Sequence, residues 1–285
     1  MSPQGTKISS KHTLRANGKV LDLSTPAVMG ILNVTPDSFF DGGTLSSNEA
    51  LLERADKYVA EGATILDLGA VSTRPGAQDI SEEEELRRLM PALKLLRNTF
   101  PKVFISVDTY RSIVALEAAE EGADIINDIS AGTFDEQMLA TVARTKLPYV
   151  MMHIQGTPQT MQKDPRYKNV QQEVFTFLKT QITKAKKAGI KQIIIDPGFG
   201  FGKTIEHNFT LLKNLAEFQR LKCPVLAGLS RKSLVNKVLE IKAADALNGT
   251  TVVNTIALLN GANILRVHDV KEAVEAVKLV SALQK

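Results

Sequence analysis

Eight short apolar runs along this chain each end on a side chain that can hydrogen-bond or carry charge. In order these are Asn33, Asp67, Asp108, Asn127, His153, Asp196, Ser230 with Lys232, and Arg266 with His268. Carboxylates only accept, and Asp108 and Asp196 can each take two parallel N–H donors. A flat heterocycle with an amino group beside a ring N–H fits such acceptors. Asn127 offers one donor and one acceptor to a further ring edge. Lys232 is a point cation and Arg266 a forked one. Val267 lies between Arg266 and His268, so strand alternation sends those two side chains to one side, a pair suited to phosphate or pyrophosphate.

The stretch DPGFGFGKT at 196–204 needs its own account. It is not a P-loop, because Pro197 stands where the first glycine should be. It is not a dinucleotide fingerprint either, because Lys203 follows Gly198 and Gly200 where the third glycine belongs. Neither stock motif accounts for it, so it has to be read from the rest of the chain. Lys203 reads equally as a solvated helix-start lysine or as a ligand.

These residues need a scaffold that gathers them. EGATILDLG, EGADIINDIS, AGIKQIIIDPG and NGANILRVHD echo one another, each with a helix-stopping glycine, an apolar run and a polar end. LPYVMMH and CPVLAGLS enter through proline; AVMGILNVT and PKVFISVDT complete the eight. The runs are Val/Ile-rich and near-continuously apolar, as strands buried on both faces are. Helical patterns separate them. Ser81 and Glu84 form a capping box, KAKK at 184–187 sits at a helix end before Gly189, and 271–283 carries one apolar stripe. The alternation predicts a single-domain (β/α)8 barrel over 28–285, with a doubly wound open sheet as the alternative topology. Asn17-Gly18 marks a hairpin in the N-terminal extension 1–27, a flap under the barrel. In such a barrel the chemistry lies at the C-terminal strand ends.

With 285 residues, 44% hydrophobic and 23% charged, the chain has the composition of a globular domain. A net charge of +4 suits a small anionic substrate and is too weak and dispersed for nucleic acid. The one cysteine, Cys223, excludes an internal disulfide and reads as a core-edge residue in a reducing compartment. No signal core or membrane-length apolar run is present, so a cytoplasmic location is expected. Two loops stand out: TPDSFFDGG (35–43), whose Phe39 and Phe40 read as a lid, and STRPGAQ (72–78).

GILNVTPDSFFDGG, DLGAVSTRPGA, SVDTYR, INDIS, MMHIQGTPQTMQ, DPGFGFGKT, GLSRKS and RVHDV occur in this order from about residue 28 onward. Together they resemble the dihydropteroate synthases of the pterin-binding family. The resemblance implies a (β/α)8 barrel, a homodimer and a Mg2+-assisted transferase of folate biosynthesis. Such an enzyme joins 6-hydroxymethyl-7,8-dihydropterin diphosphate to 4-aminobenzoate, and sulfonamides mimic the latter. It implies that Asn33 ligates Mg2+. Arg266, Val267 and His268 would hold the diphosphate with Arg74 as helper. Asp108, Asn127, Asp196 and Lys232 would hold the pterin, with Met151 packed on its ring, and DPGFGFGKT would be a pterin turn whose glycines let backbone approach that flat ring. Thr73 would serve both substrates; Pro75, Phe201 and Ser233 would frame 4-aminobenzoate. Phe39 and Asp41 would close over the reacting centre. Asp41, Lys232, Arg266 and His268 are the catalytic candidates. The chain departs from the family pattern at Ala70 and Val71, where many members have Gly and Glu.

The resemblance implies an SN1-like path, in which the electron-rich ring delocalises the positive charge and Asp41 stabilises it. Three other readings compete. A methyltetrahydrofolate-dependent methyltransferase shares the pterin barrel but needs no diphosphate grip, so SRKS, RVHD and STRPG argue against it. A non-catalytic pterin-binding module would keep Asp196 and Asn127 but could lose the loops or Lys232. A phosphate-binding barrel with another substrate is the third.

Overall fold

The computed structural model describes residues 12–34, 45–72, 76 and 79–284, apart from the side chains of 45–47. Thr13–Ala16 (β1) and Lys19–Asp22 (β2) pair antiparallel around Asn17 and Gly18, with φ of 49° and 75°. A two-residue turn between twisted strands needs positive φ at both positions, which Asn-Gly supplies at little cost.

Eight parallel strands follow: Ala27–Asn33 (β3), Ile65–Gly69 (β4), Phe104–Asp108 (β5), Ile125–Asp128 (β6), Tyr149–Met152 (β7), Ile193–Asp196 (β8), Leu226–Ala227 (β9) and Ile264–Val267 (β10). The helices between and after them are Leu45–Ala60 (α1), Glu82–Thr99 (α2), Ser112–Glu120 (α3), Met138–Thr145 (α4), Val170–Ala188 (α5), Ile205–Lys213 (α6), Ser233–Leu239 (α7), Leu247–Leu259 (α8) and Val270–Leu283 (α9). The strand order is β8-β7-β6-β5-β4-β3-β10-β9. A parallel bridge between Ile195 and Val225, with Ile195 N–H donating to Pro224 O at 2.9 Å, joins the two ends. That closure makes a (β/α)8 barrel and excludes the open sheet. The strands are almost entirely buried, which accounts for their unbroken apolar composition.

Local signals held with one change. Ser81 Oγ accepts from Glu84 N–H at 3.2 Å, but the Glu84 carboxylate turns to Arg87 and Arg88 rather than closing the capping box. A complete box forms instead at α6, where Thr204 and His207 bond reciprocally. Helix α5 ends at Gly189, left-handed at φ 104°.

The hairpin β1–β2 lies across the N-terminal strand ends, as expected. Arg15 N–H donates to Gln192 Oε1 at 2.7 Å, just ahead of β8. Asn17 Nδ2 donates to Ala123 O at 2.9 Å and Asp124 Oδ1 at 3.0 Å, just ahead of β6. Asp124 is fully buried and also receives Lys19 Nζ at 2.7 Å, Arg97 Nη2 at 2.5 Å and Ile105 N–H at 2.9 Å. One carboxylate thus fastens the hairpin, α2 and β5 to the barrel floor. Removing one partner of a buried ion pair leaves the other charge uncompensated. Asp124→Ala is therefore expected to lower stability by about 3 kcal/mol. The urea midpoint at unchanged slope measures this, and a loss under about 1 kcal/mol would rule out that fastening role.

Candidate active site

Register gathers the ring. Asn33 pairs with Gly69, Gly69 with Asp108, and Asp108 with Asn127, so these positions form one row across β3 to β6. Partnered residues in parallel strands point to the same face, as do residues two apart. Asp67 and Arg266 therefore face the barrel interior with that row: Asp67 is two before Gly69, and Arg266 pairs with Met29, four before Asn33. On the far side Met152 pairs with Asp196, again facing inward.

At the centre Arg266 bridges two carboxylates. Its Nε donates to Asp67 Oδ2 at 2.5 Å and its Nη2 to Asp108 Oδ2 at 2.7 Å. Asn127 Nδ2 donates to both Asp67 oxygens, at 3.2 and 3.3 Å. Asp196 Oδ1 accepts Gly198 N–H at 2.7 Å, and Lys232 Nζ donates to Phe199 O at 2.6 Å. A Cβ on Gly228 would stand 3.5 Å from Lys232 Nζ, 3.9 Å from Asp196 Oδ2 and 4.0 Å from Arg266 Cβ. The bare glycine keeps that space open.

Burial sets the proton affinities. It pushes the Asp108 carboxyl up to about 7, against the pull of the Arg266 charge. Burial also raises Asp196, with Lys232 opposing, and lowers Lys232 to about 8, with Asp196 opposing. Asp108 and Lys232, two groups that change charge near neutrality, therefore meet beside Asp196, whose carboxyl burial also raises.

Lys203 belongs to this site's scaffold and is neither solvated nor aimed at the cavity. It is 3% exposed, and its Nζ bonds Gly198 O at 2.8 Å, Phe201 O at 2.9 Å, His153 Nδ1 at 3.0 Å and His153 O at 3.3 Å. Burial pushes its ammonium towards neutrality, while four acceptor atoms hold the proton. Burial first, and then the Lys203 charge, lowers His153 to about 2, so the ring stays neutral and accepts. His153 thus leaves the ring of ligand candidates and braces the turn. The glycines serve the same packing. A Cβ on Gly198 would fall 1.9 Å from His153 O, and one on Gly202 2.5 Å from Gln155 O. These two make room for the chain after β7, not for a flat ring.

Two further expectations are corrected by strand parity. Met151 pairs with Asp128, whose Oδ2 accepts from Tyr149 OH at 2.6 Å on the outward face, so Met151 lies in the main core. The inward neighbour is Met152, which clusters with Ile129, Ile154, Met161 and Phe201 at the mouth. Val267 pairs with Gly30, where an added Cβ would strike Tyr58 of α1. Its side chain therefore faces the helices and is fully buried. Met152 is identified by register, which pairs it directly with Asp196.

Asn33 ends β3 half-buried, its Oδ1 3.6 Å from the Cβ position of Gly69. His268 Nδ1 and Ser230 Oγ are 3.0 Å apart. Phe201 lies beneath Lys232, whose Nζ is 4.8 Å from the ring centroid. Ser233 opens α7 and is exposed. Phe39, Asp41, Thr73, Arg74 and Pro75 lie outside the described residues. Ala70 is fully buried in the main core and Val71 half-buried.

The family profile described as "Pterin binding enzyme" matches residues 29–268. The dihydropteroate synthase of Escherichia coli K12 is 47% identical over 271 residues, covering 94% of this chain and 95% of that protein. A crystal structure of the Yersinia pestis dihydropteroate synthase with a sulfonamide drug complex superposes with a TM-score of 0.90 at 43% identity, covering 96% of this chain and 99% of that one. The Xanthomonas albilineans dihydropteroate synthase with 4-aminobenzoic acid gives 0.90 at 40% identity, with the same coverage. The chain belongs to the pterin-binding enzymes and, within them, to the dihydropteroate synthases.

Proposed function

We propose that the cavity at the C-terminal strand ends joins 6-hydroxymethyl-7,8-dihydropterin diphosphate to 4-aminobenzoate, releasing pyrophosphate, and that its residues divide this work by charge. The observation that carries the reading is the convergence of Asp108, Asn127, Asp196, Lys232 and Arg266 at one end of the barrel interior. Asp196 and Asp108 accept from the ring's N–H groups, Asn127 meets a further edge, and Lys232 donates to a ring acceptor. Met152 and Phe201 wall the mouth. Arg266 spends Nε and Nη2 on the two carboxylates, so Nη1 is left for the anionic tail. His268 is its neighbour on that side.

The reaction breaks a carbon–oxygen bond, whose electron pair leaves with the pyrophosphate. It forms a carbon–nitrogen bond to an amine that is already neutral at pH 7, so no strong base is needed first. The family implies Mg2+. Among the described residues no cluster of three His, Cys, Asp or Glu stands ready to hold a metal. Asn33 offers one hard amide oxygen at the strand end, which fits an ion that keeps most of its waters and takes substrate phosphate oxygens. When bound, Mg2+ would offset charge on the departing pyrophosphate. This chain's part is to hold the ring by its buried acceptors and to neutralise the tail with Arg266.

A second copy of the chain is the proposed partner. Of the eleven large hydrophobic residues exposed among the described ones, seven lie on α7, α8 and α9, which are neighbours in the outer layer. Val252, Ile256 and Leu259 form their centre. An exposed apolar patch shared by three neighbouring helices suits a contact between two copies. The single buried Cys223 supports a cytoplasmic location.

Three measurements test these readings. Pyrophosphate release from the pterin ester should depend on 4-aminobenzoate; release that ignores it would refute the condensation. Pterin binding needs Asp108 ionised and Lys232 protonated. Affinity should therefore fall below about 7 and again above about 8, approaching roughly tenfold per pH unit on each flank. A flat calorimetric profile from pH 6 to 9 would exclude these roles. Ile256→Asp should convert a dimer to a monomer by sedimentation equilibrium, and an unchanged mass would move the interface elsewhere.

A further inference from the structure

We propose that Asp67 is a positioning residue that fixes the amide of Asn127 and the guanidinium of Arg266 in one arrangement, obliging Asn127 to offer its oxygen to the substrate. This rests on the pterin-binding reading above.

Asp67 is fully buried, so it does not itself reach a ligand. Its partners are not on neighbouring strands. β5 lies between β4 and β6, and β3 lies between β4 and β10. The carboxylate therefore ties three separate strands across the barrel interior, a link that no backbone ladder can make. Both its oxygens face Asn127 Nδ2, and Oδ2 also receives Arg266 Nε.

The two ends of an amide are nearly equal in size but opposite in polarity. A carboxylate accepts only, so the end of Asn127 facing Asp67 is the NH2 group. The Asn127 oxygen is thereby turned away from Asp67. Without Asp67 the amide can rotate by half a turn and present a donor instead. Asp67 and Asp108 also hold the guanidinium in a fork, which sets where Nη1 points. One residue thus links the ring end of the substrate to its anionic end.

The test compares intact wild-type enzyme with Asp67→Asn, Asn127→Asp and the reciprocal pair carrying both. Binding of 6-hydroxymethylpterin is followed by its fluorescence, folding by circular-dichroism melting, and steady-state constants are taken for both substrates. Asp67→Asn puts an ambiguous amide where a pure acceptor stood. It should raise the pterin Kd and the KM of the pterin ester about tenfold or more, with KM for 4-aminobenzoate unchanged within about twofold. Asn127→Asp sets two carboxylates against each other and should lose at least as much. The reciprocal pair keeps the buried charge count: the new amide at 67 donates to the new carboxylate at 127, whose second oxygen still serves the ring. It should bind pterin more tightly than either single variant. A merely structural role would lower the active fraction, and so kcat, without moving either KM. Wild-type affinity in folded Asp67→Asn overturns the proposal, and so does a reciprocal pair no tighter than Asn127→Asp. The latter comparison decides the matter even if Asp67→Asn does not fold. A wild-type enzyme that fails to bind pterin refutes the functional reading instead.

Discussion

A guanidinium held between two carboxylates is the constraint from which the upper half of this barrel follows. Arg266 is only slightly exposed, and a cation there is tolerable only when paired. Asp67 and Asp108 supply the pairing from β4 and β5, while Arg266 comes from β10. The three strands must therefore end at matched heights, and the barrel register delivers this. Asn127 is then drawn in through Asp67, and Asp196 with Lys232 completes the wall across Gly228. Fold and site are one electrostatic problem, solved by alignment of strand ends.

Much of this was legible in the residues. Eight near-continuous apolar runs fixed the strands, because buried parallel strands have no polar face to alternate with. Their polar ends gave Asp108, Asn127, Asp196, Lys232 and Arg266 as a group. The Asn17-Gly18 hairpin was legible because few other sequences tolerate two successive positive φ values. The errors share one cause. Met151 and Val267 sit one residue from the inward face, and a motif read as a string carries no parity. Register supplies it, and register depends on contacts distant in sequence. Lys203 was ambiguous for a similar reason: its acceptors include His153, fifty residues away. The roles of Gly198 and Gly202 were misread because the backbone they admit belongs to the segment after β7.

The barrel uses the same device at both ends. Asp124 gathers Lys19, Arg97 and Asn17 below, and Lys203 gathers the carbonyls of the 198–201 turn above. In each case one buried polar group is satisfied by groups from separate segments, so each segment's conformation is conditional on the others. Arg231 extends the scheme at the rim. Its guanidinium bonds both Asp269 oxygens, at 2.7 and 2.9 Å, and donates to Ala243 O and Ala244 O. It thereby ties the loops flanking Lys232 and His268 to the turn that leads into α8.

The crossed pairing of Arg266 also bears on how such a pocket can evolve under inhibition. Exchanging Arg266 leaves two carboxylates unpaired in the interior, and exchanging Asp67 or Asp108 unpairs one arm of its guanidinium, so change is costly at each of these positions. Phe201 and Ser233 carry no such obligation: one is half-exposed at the rim, the other open at a helix start. Substitution would find latitude there, whereas a compound anchored on the Arg266 pairing would meet the residues least free to change.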